Sequence, residues 1–260
     1  KMHIFQCSCH FWVKLLHLFN MDFADYVIDH LEELVPGTYL LRLMPQSGDI
    51  FSFKPGQFCQ IKNPLYIRPT EVHMFSIASS PSERKYLEFC IKVYGDWTTA
   101  LSLLQKGAVL QVAGPLGHFV WDQAQTQVVF LAGGVGIAPF MSMLRVQKEL
   151  KYEGTTRLLY GSRTLDSIAY ESEIDTIMSS LKDGKVIHIL SHLDETDLWR
   201  GYRGFITEEI LHKEVDLTRH PTFYLCGPPI FVQLMREVLK KLEVAPEYIR
   251  FELFARPMNT

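Results

Sequence analysis

An apolar run that ends in three glycines within four residues and is followed by a proline leaves a chain few ways to fold. Here it is Val129-Phe130-Leu131-Ala132-Gly133-Gly134-Val135-Gly136-Ile137-Ala138-Pro139-Phe140-Met141-Ser142-Met143-Leu144. Gln127 to Ala132 is β-branched and aromatic enough to be a buried strand. Pro139 suits the first residue of a helix, where the missing N–H has no intrahelical partner anyway. Met141, Leu144, Val146 and Leu150 continue an apolar stripe at helical spacing. The glycines then sit at a strand-to-helix turn, with backbone N–H groups and the positive end of the helix facing outward. Such a turn suits a phosphate-bearing nucleotide. The same glycines also suit a tight βα turn in which they only permit close packing.

The 260 residues fit one large domain or two ordinary ones, and 47% hydrophobic against 21% charged residues can bury a sizeable core. A net charge of -3 argues against nucleic acid as a partner. No run of about 18 apolar residues offers a membrane span. The five cysteines (Cys7, Cys9, Cys59, Cys90, Cys226) are odd in number and without framework spacing, which points to a reducing, cytoplasmic compartment. Residues 1–20 scatter His3, His10, Lys14 and His17 among apolar side chains. They read either as an amphipathic helix on a membrane or partner, or as an extension packed on the body. Cys7-Ser-Cys9-His10 carries ligand-type residues but lacks a second cluster, so no metal is expected. The chain starts at Lys1 rather than methionine, which raises the expectation of a piece of a longer protein.

The texture changes halfway. Up to Phe119 there are short strands: Tyr39–Met44, Gly56–Ile61, Met74–Ala78, Tyr86–Tyr94 and Val109–Ala113, with one helix over Thr98–Gln105. After the polar stretch Trp121–Thr126, strands (128–132, 157–160, 186–190, 222–225) alternate with helices (139–150, 167–178, 206–211, 229–242). The fold class is therefore α+β in two domains: an antiparallel β-barrel over 21–121, then a doubly wound parallel α/β domain over 127–260, with 1–20 as an N-terminal extension. Ligands of such sheets bind beyond the carboxyl ends of the strands, where Gly133-Gly134 and Cys226-Gly227-Pro228-Pro229 both lie.

Five motifs follow in order: His73-Met74-Phe75-Ser76, Gly95-x-x-Thr98-Thr99, Gly133 to Pro139, Cys226-Gly227-Pro228 and Glu252-Leu253-Phe254. In these the chain resembles the ferredoxin–NADP reductase superfamily over roughly residues 22–254. The resemblance implies FAD on the barrel, NAD(P)H on the second domain, and electrons leaving to a separate redox acceptor. It implies an FAD site of His73, Met74, Phe75, Ser76, Ile91, Lys92, Gly95, Thr98 and Thr99. Phe75 would offer its face to the isoalloxazine, Ser76 its hydroxyl near N5, and His73 would face the ribityl chain or pyrophosphate. His73 and Phe75 replace the family's arginine and tyrosine. Thr98 and Thr99 would begin the barrel's helix and bind pyrophosphate.

The resemblance further implies that Gly133, Gly134, Val135, Gly136, Ala138, Pro139, Cys226, Gly227 and Pro228 hold the nicotinamide side. Their glycines would then be clearance that lets the dinucleotide approach FAD. Ser162, Arg163, Ser191, His192 and Arg203 would hold the remainder. The catalytic set would be Ser76, Cys226, Glu252 and Phe254, with Cys226 beside the nicotinamide without thiolate chemistry, and Phe254 stacking on the flavin ahead of six further residues. Ser191-His192 in place of Ser-Arg removes a fixed phosphate ligand and leans the reading to NADH. The His-x-Phe-Ser pattern is similar to that of NADPH oxidases and ferric reductases, whereas Ile77-Ala78-Ser79-Ser80-Pro81 is similar to soluble bacterial reductases. The acceptor would be an iron–sulfur protein, a flavodoxin or a membrane haem domain, with any membrane association through that partner or residues 1–20. No Cys-x4-Cys-x2-Cys set builds a plant-type cluster into the chain. The alternative is a non-catalytic regulatory or scaffolding module that keeps the fold.

Overall fold

The computed structural model describes residues 22–193 and 198–253; the expectations for residues 1–20 and for Phe254 lie outside them. The first half holds β1 (Ala24–Val35), β2 (Thr38–Pro45), β3 (Phe58–Lys62), β4 (Val72–Ser76), β5 (Leu87–Lys92), α1 (Asp96–Ser102) and β6 (Val109–Leu116). The strands pair antiparallel in the order β4-β3-β6-β1-β2-β5. Ile77 bridges Phe89, and the Ala78 N–H donates to the Glu88 carbonyl at 2.7 Å. That last link joins the two outer strands and closes a barrel, which satisfies edges that would otherwise stay unpaired. Leu87, Phe89 and Ile91 fill its interior with Ile28, Leu41, Leu43 and Ile61. Glu88 and Cys90 point the other way along β5 and are buried as well, because the second half covers that wall.

The second half runs β7 (Gln127–Gly133), α2 (Ile137–Glu149), β8 (Thr155–Ser162), α3 (Glu171–Ser180), β9 (Asp183–Leu190), β10 (Tyr202–Arg203), α4 (Glu208–Glu214), β11 (Thr222–Gly227), α5 (Pro229–Lys241) and β12 (Ile249–Leu253). All six strands are parallel, in the order β10-β9-β8-β7-β11-β12. The chain starts in the middle, works to one edge, then returns beside β7 and works to the other. The reversal makes the gap between the β7 and β11 loops the switch point, where open α/β sheets take their ligands.

Several boundaries differ from the sequence expectation. Helix α2 begins at Ile137, so Pro139 is its third residue, still inside the first turn whose N–H groups have no helical partner. Leu150 caps its end and is exposed. Helix α3 starts at Glu171 because residues 165–167 form a separate turn boxed by Thr164, and Tyr170 then takes a left-handed conformation. Helix α1 starts at Asp96, two residues early. Strand β6 continues through Gly114-Pro115 to Leu116.

The segment between the halves is strapped down rather than loose. The Tyr152 hydroxyl donates to the Gln125 carbonyl at 2.6 Å, and the Tyr224 hydroxyl donates to Gln125 Oε1 at 2.9 Å. Phe119 and Trp121 pack into the second core, against Phe140 and Tyr224 and against Tyr152 respectively. At the switch point the two loops touch directly. A Cβ on Gly136 would collide with the Cys226 carbonyl and lie 2.6 Å from the Gly227 nitrogen, whereas one on Gly134 would meet nothing within 4 Å. Gly136→Ala should therefore lower stability by about 2–3 kcal/mol through overpacking, while Gly134→Ala should cost only about 1 kcal/mol for its left-handed backbone. Urea denaturation of both variants decides this, and equal losses would refute the close-approach account.

Candidate functional site

Two elements at the carboxyl rim of the parallel sheet frame a crevice. Gly133–Gly136 join β7 to α2, and Cys226-Gly227-Pro228 join β11 to α5. The ring of Phe231, on the first turn of α5, lies over both glycines: a Cβ on Gly133 would be 2.9 Å from it and one on Gly227 2.8 Å. So Gly133 makes room for a phenyl ring and Gly136 for the neighbouring backbone. Only Gly134 of the three faces open space, which corrects the expectation that all three clear a path for a ligand. No side chain caps the thirteen-residue helix α2, but the Ile137 N–H turns back to the Gly134 carbonyl and Pro139 has none, so what the start of the helix offers an anion is mainly its dipole.

The same rim carries Ser162 at the end of β8 and Arg163 just after it, Ser191 and His192 after β9, and Arg203 on β10. The loops are cross-tied: Ser191 N–H donates to the Ser162 carbonyl at 3.0 Å and His192 N–H to the Arg163 carbonyl at 2.7 Å. Ser162 Oγ is sealed from solvent without a partner, a costly state for a hydroxyl. Arg163 and Arg203 are exposed on this edge.

On the barrel side, β4 presents His73 and Phe75 to one side and Met74, which is exposed, to the other. His73 stacks on Trp97 at 4.1 Å between ring centres, Phe75 on the same indole at 5.8 Å. The His73 imidazole also pairs with Glu71 at 2.8 Å. This differs from the expected outward-facing phosphate ligand, since a carboxylate and an indole already claim the ring. Trp97 Nε1 is buried with no acceptor. Thr98 accepts the Tyr94 N–H at 2.7 Å and donates to the Tyr94 carbonyl, and Thr99 donates to the Gly95 carbonyl. Their hydroxyls thus serve the turn at Gly95 rather than reaching outward, because the helix has already begun at Asp96. Lys92, expected to add charge for a phosphate, donates instead to the Pro36 carbonyl at 2.9 Å. Ile91 lies inside the barrel core, so its side chain cannot touch a ligand there.

A side-chain hydrogen bond links barrel and crevice. Ser76 Oγ, at the end of β4, donates to Glu252 Oε2 at 3.4 Å. Glu252 is the ladder partner of Cys226 on the neighbouring strand. Burial pushes the Glu252 carboxyl up to about 7, opposed by the Ser76 hydrogen bond. The Cys226 thiol is wholly buried and pushed well up by burial and by Glu252, so it stays protonated and is no nucleophile. Ser76, Cys226 and Glu252, widely separated in sequence, are thus brought together.

No sequence motif includes Phe231. It stands four residues before Met235, on the flank of the apolar face formed by Val232, Met235 and Leu239, so the pattern marks it only as a packing residue and gives no signal of its place over the glycines. Among the described residues no His, Cys, Asp or Glu group could hold a metal, and no helix is long and apolar enough to cross a membrane.

Comparison with known proteins bears on these features in chain order. The family profile "Oxidoreductase FAD-binding domain" matches residues 27–121, and "Oxidoreductase NAD-binding domain" matches residues 130–237. The reductase component of propane 2-monooxygenase from Mycolicibacterium goodii is 32% identical, over 84% of this chain and 64% of that protein. The reductase subunit of glycine betaine monooxygenase from Chromohalobacter salexigens is 31% identical, over 74% and 53%. The chain thus spans about 64% of the length of the first of these relatives, and less of the second. Among solved structures, a ferredoxin reductase of carbazole 1,9a-dioxygenase superposes with a TM-score of 0.79 at 24% identity, over 90% of this chain and 70% of that one. The FAD/NAD-binding domain of a nitric oxide dioxygenase from Vibrio cholerae reaches 0.80 at 19%, over 90% and 100%. With a flavin-type barrel and a nucleotide-type sheet matched in sequence and superposed in space, the chain belongs to the ferredoxin–NADP reductase superfamily.

Proposed function

We propose that this chain takes hydride from NAD(P)H onto FAD and passes electrons to a separate redox acceptor. The observation that carries the reading is the meeting of Ser76, from the flavin-type barrel, with Glu252 and Cys226 at the switch point of the nucleotide-type sheet. Bound FAD supplies the conversion of a two-electron hydride into electrons that can leave singly. The residues present fit both groups. Gly134 leaves room, and the start of α2 a positive dipole, for a dinucleotide phosphate. Ser162 Oγ and Trp97 Nε1 are buried polar groups still lacking partners, one on each side.

The protein's part is placement. Gly133–Gly136, Ala138, Pro139 and Cys226–Pro228, floored by Phe231, would hold the nicotinamide; Ser162, Arg163, Ser191, His192 and Arg203 would hold the far half of the dinucleotide. Phe75 and Ser76 would line the flavin with Met74, and contacts near Gly95 would come from backbone rather than from Thr98 and Thr99. We place Phe254 on the flavin face by family resemblance. The Glu252 carboxyl, raised to about 7, exchanges its proton near neutral pH and can give or take one through Ser76. The relatives named above are reductase components of monooxygenases, which favours an oxygenase-type acceptor, in another protein or in chain beyond this span.

An absorption spectrum with added FAD, then with NADH and NADPH in turn, tests the reading. A yellow protein bleached by NADH in preference to NADPH is expected; a protein that stays colourless with FAD makes the non-catalytic module the better account. Cys226→Ala should keep its FAD yet reduce it about tenfold more slowly, because the nicotinamide loses a lateral wall; an unchanged rate removes Cys226 from the site. The raised Glu252 pKa favours folding only in the neutral form, so that contribution is full below pH 4.5 and lost as pH rises through about 7. Glu252→Gln should therefore melt above wild type at about pH 8 and level with it near pH 4, by differential scanning calorimetry. A gap that does not change with pH would contradict the burial argument.

A further inference from the structure

We propose that Arg145 is a positioning residue, one that sets the separation between the strand carrying Ser76 and the glycine turn of the crevice; the inference rests on the reductase reading above. Arg145 lies on α2 about 12 Å, a little over two turns, beyond Ile137, where the helix leaves that turn. Its Nη1 donates to the Ala78 carbonyl at 2.8 Å and to Glu88 Oε1 at 2.8 Å. Its Nε and Nη2 donate to the two oxygens of Glu173 on α3, at 2.7 and 2.8 Å. Ala78 stands two residues past Ser76. One planar group therefore ties the end of β4, the wall strand β5 and helix α3 to the helix that begins at the crevice.

The Glu88 side chain is only 1% exposed, and it also accepts from Arg42 Nε at 2.9 Å and from the Tyr170 hydroxyl at 3.2 Å. One turn further along α2, Glu149 accepts from Ser80 at 2.9 Å and Ser82 at 2.8 Å, a second and exposed rung on the same face. An apolar replacement for a buried ion pair can match its stability. What it cannot match is geometry: Ala78, Cys90, Ile137 and Met141 belong to one apolar cluster, and apolar surfaces accept small slides. A guanidinium fork bonded to four oxygens on three residues does not. Hydride transfer is steep in distance, so a clamp remote from the reacting atoms can still govern rate.

The test uses FAD-loaded wild type, Arg145→Met, Arg145→Lys, Glu88→Gln and Lys148→Met, an exposed change on the same helix. Arg145→Met and Arg145→Lys should bind FAD stoichiometrically, with the limiting rate of flavin reduction by NADH down about 10–100-fold and half-saturation within about threefold of wild type. Lysine should not rescue, since one ammonium cannot span acceptors on three elements. Amide hydrogen exchange at Ala78 should rise in both, and Lys148→Met should match wild type throughout. Should Arg145→Met not fold, Arg145→Lys and Glu88→Gln carry the comparison. A lower melting point with an unchanged limiting rate would overturn the proposal and leave Arg145 a stabiliser. Wild type that binds FAD but is reduced by neither NADH nor NADPH would overturn the reductase reading instead; exchange at Ala78 then decides the clamp, unchanged protection refuting it.

Discussion

A carboxylate closed off from water, with an arginine on each oxygen, holds the two halves of this protein in register. Glu88 stands on a strand of the barrel wall; Arg42 reaches it from the same barrel and Arg145 from the parallel-sheet half. Burying such a charge is expensive, and the cost is offset only because both oxygens are filled. The arrangement exists because β5 is covered on both faces. Its inward side chains fill the barrel, and its outward ones enter a cluster that includes Phe130, Ile137 and Tyr160 of the other half. One wall thus serves two cores, and the halves cannot separate without exposing it.

That rigid junction is what allows a site to be shared. Ser76 arrives at the end of a barrel strand, Cys226 at the end of the strand beside β7, and Glu252 on an edge strand. None of them is reactive by itself. The thiol is held neutral by burial, and the carboxyl is pushed toward neutrality for the same reason. Such a site suits a reaction whose hard chemistry belongs to bound cofactors and whose protein supplies alignment.

The glycine turn shows where a motif is ambiguous in physical terms. Glycine signals that something approaches closely without saying what. At Gly136 it is the backbone of Cys226 and Gly227, and at Gly133 it is the ring of Phe231. Only Gly134 keeps open space, so close packing accounts for two of the three glycines and the third alone leaves room for a ligand. Threonines 98 and 99 make the same point: hydroxyls near a helix start can face a ligand or bond back to the preceding turn, and only the helix boundary decides.

Local pattern was enough to determine the division into an antiparallel half and a βαβ half, the central strand before Gly133, and the sheet rim that carries both loops of the crevice. Those follow from hydrophobic period and turn chemistry, which act within about a dozen residues. Pattern was also enough to see that Leu87, Phe89 and Ile91 share a face. It could not show that the opposite face would be buried too, since Glu88 reads as an ordinary solvent-facing residue of an alternating strand. The joining of Glu88 to Arg145, of Ser76 to Glu252, and of Phe231 to Gly133 was decided by tertiary structure alone. Each spans dozens of residues or more, and each depends on which surfaces pack once the sheets have formed, a choice no local preference encodes.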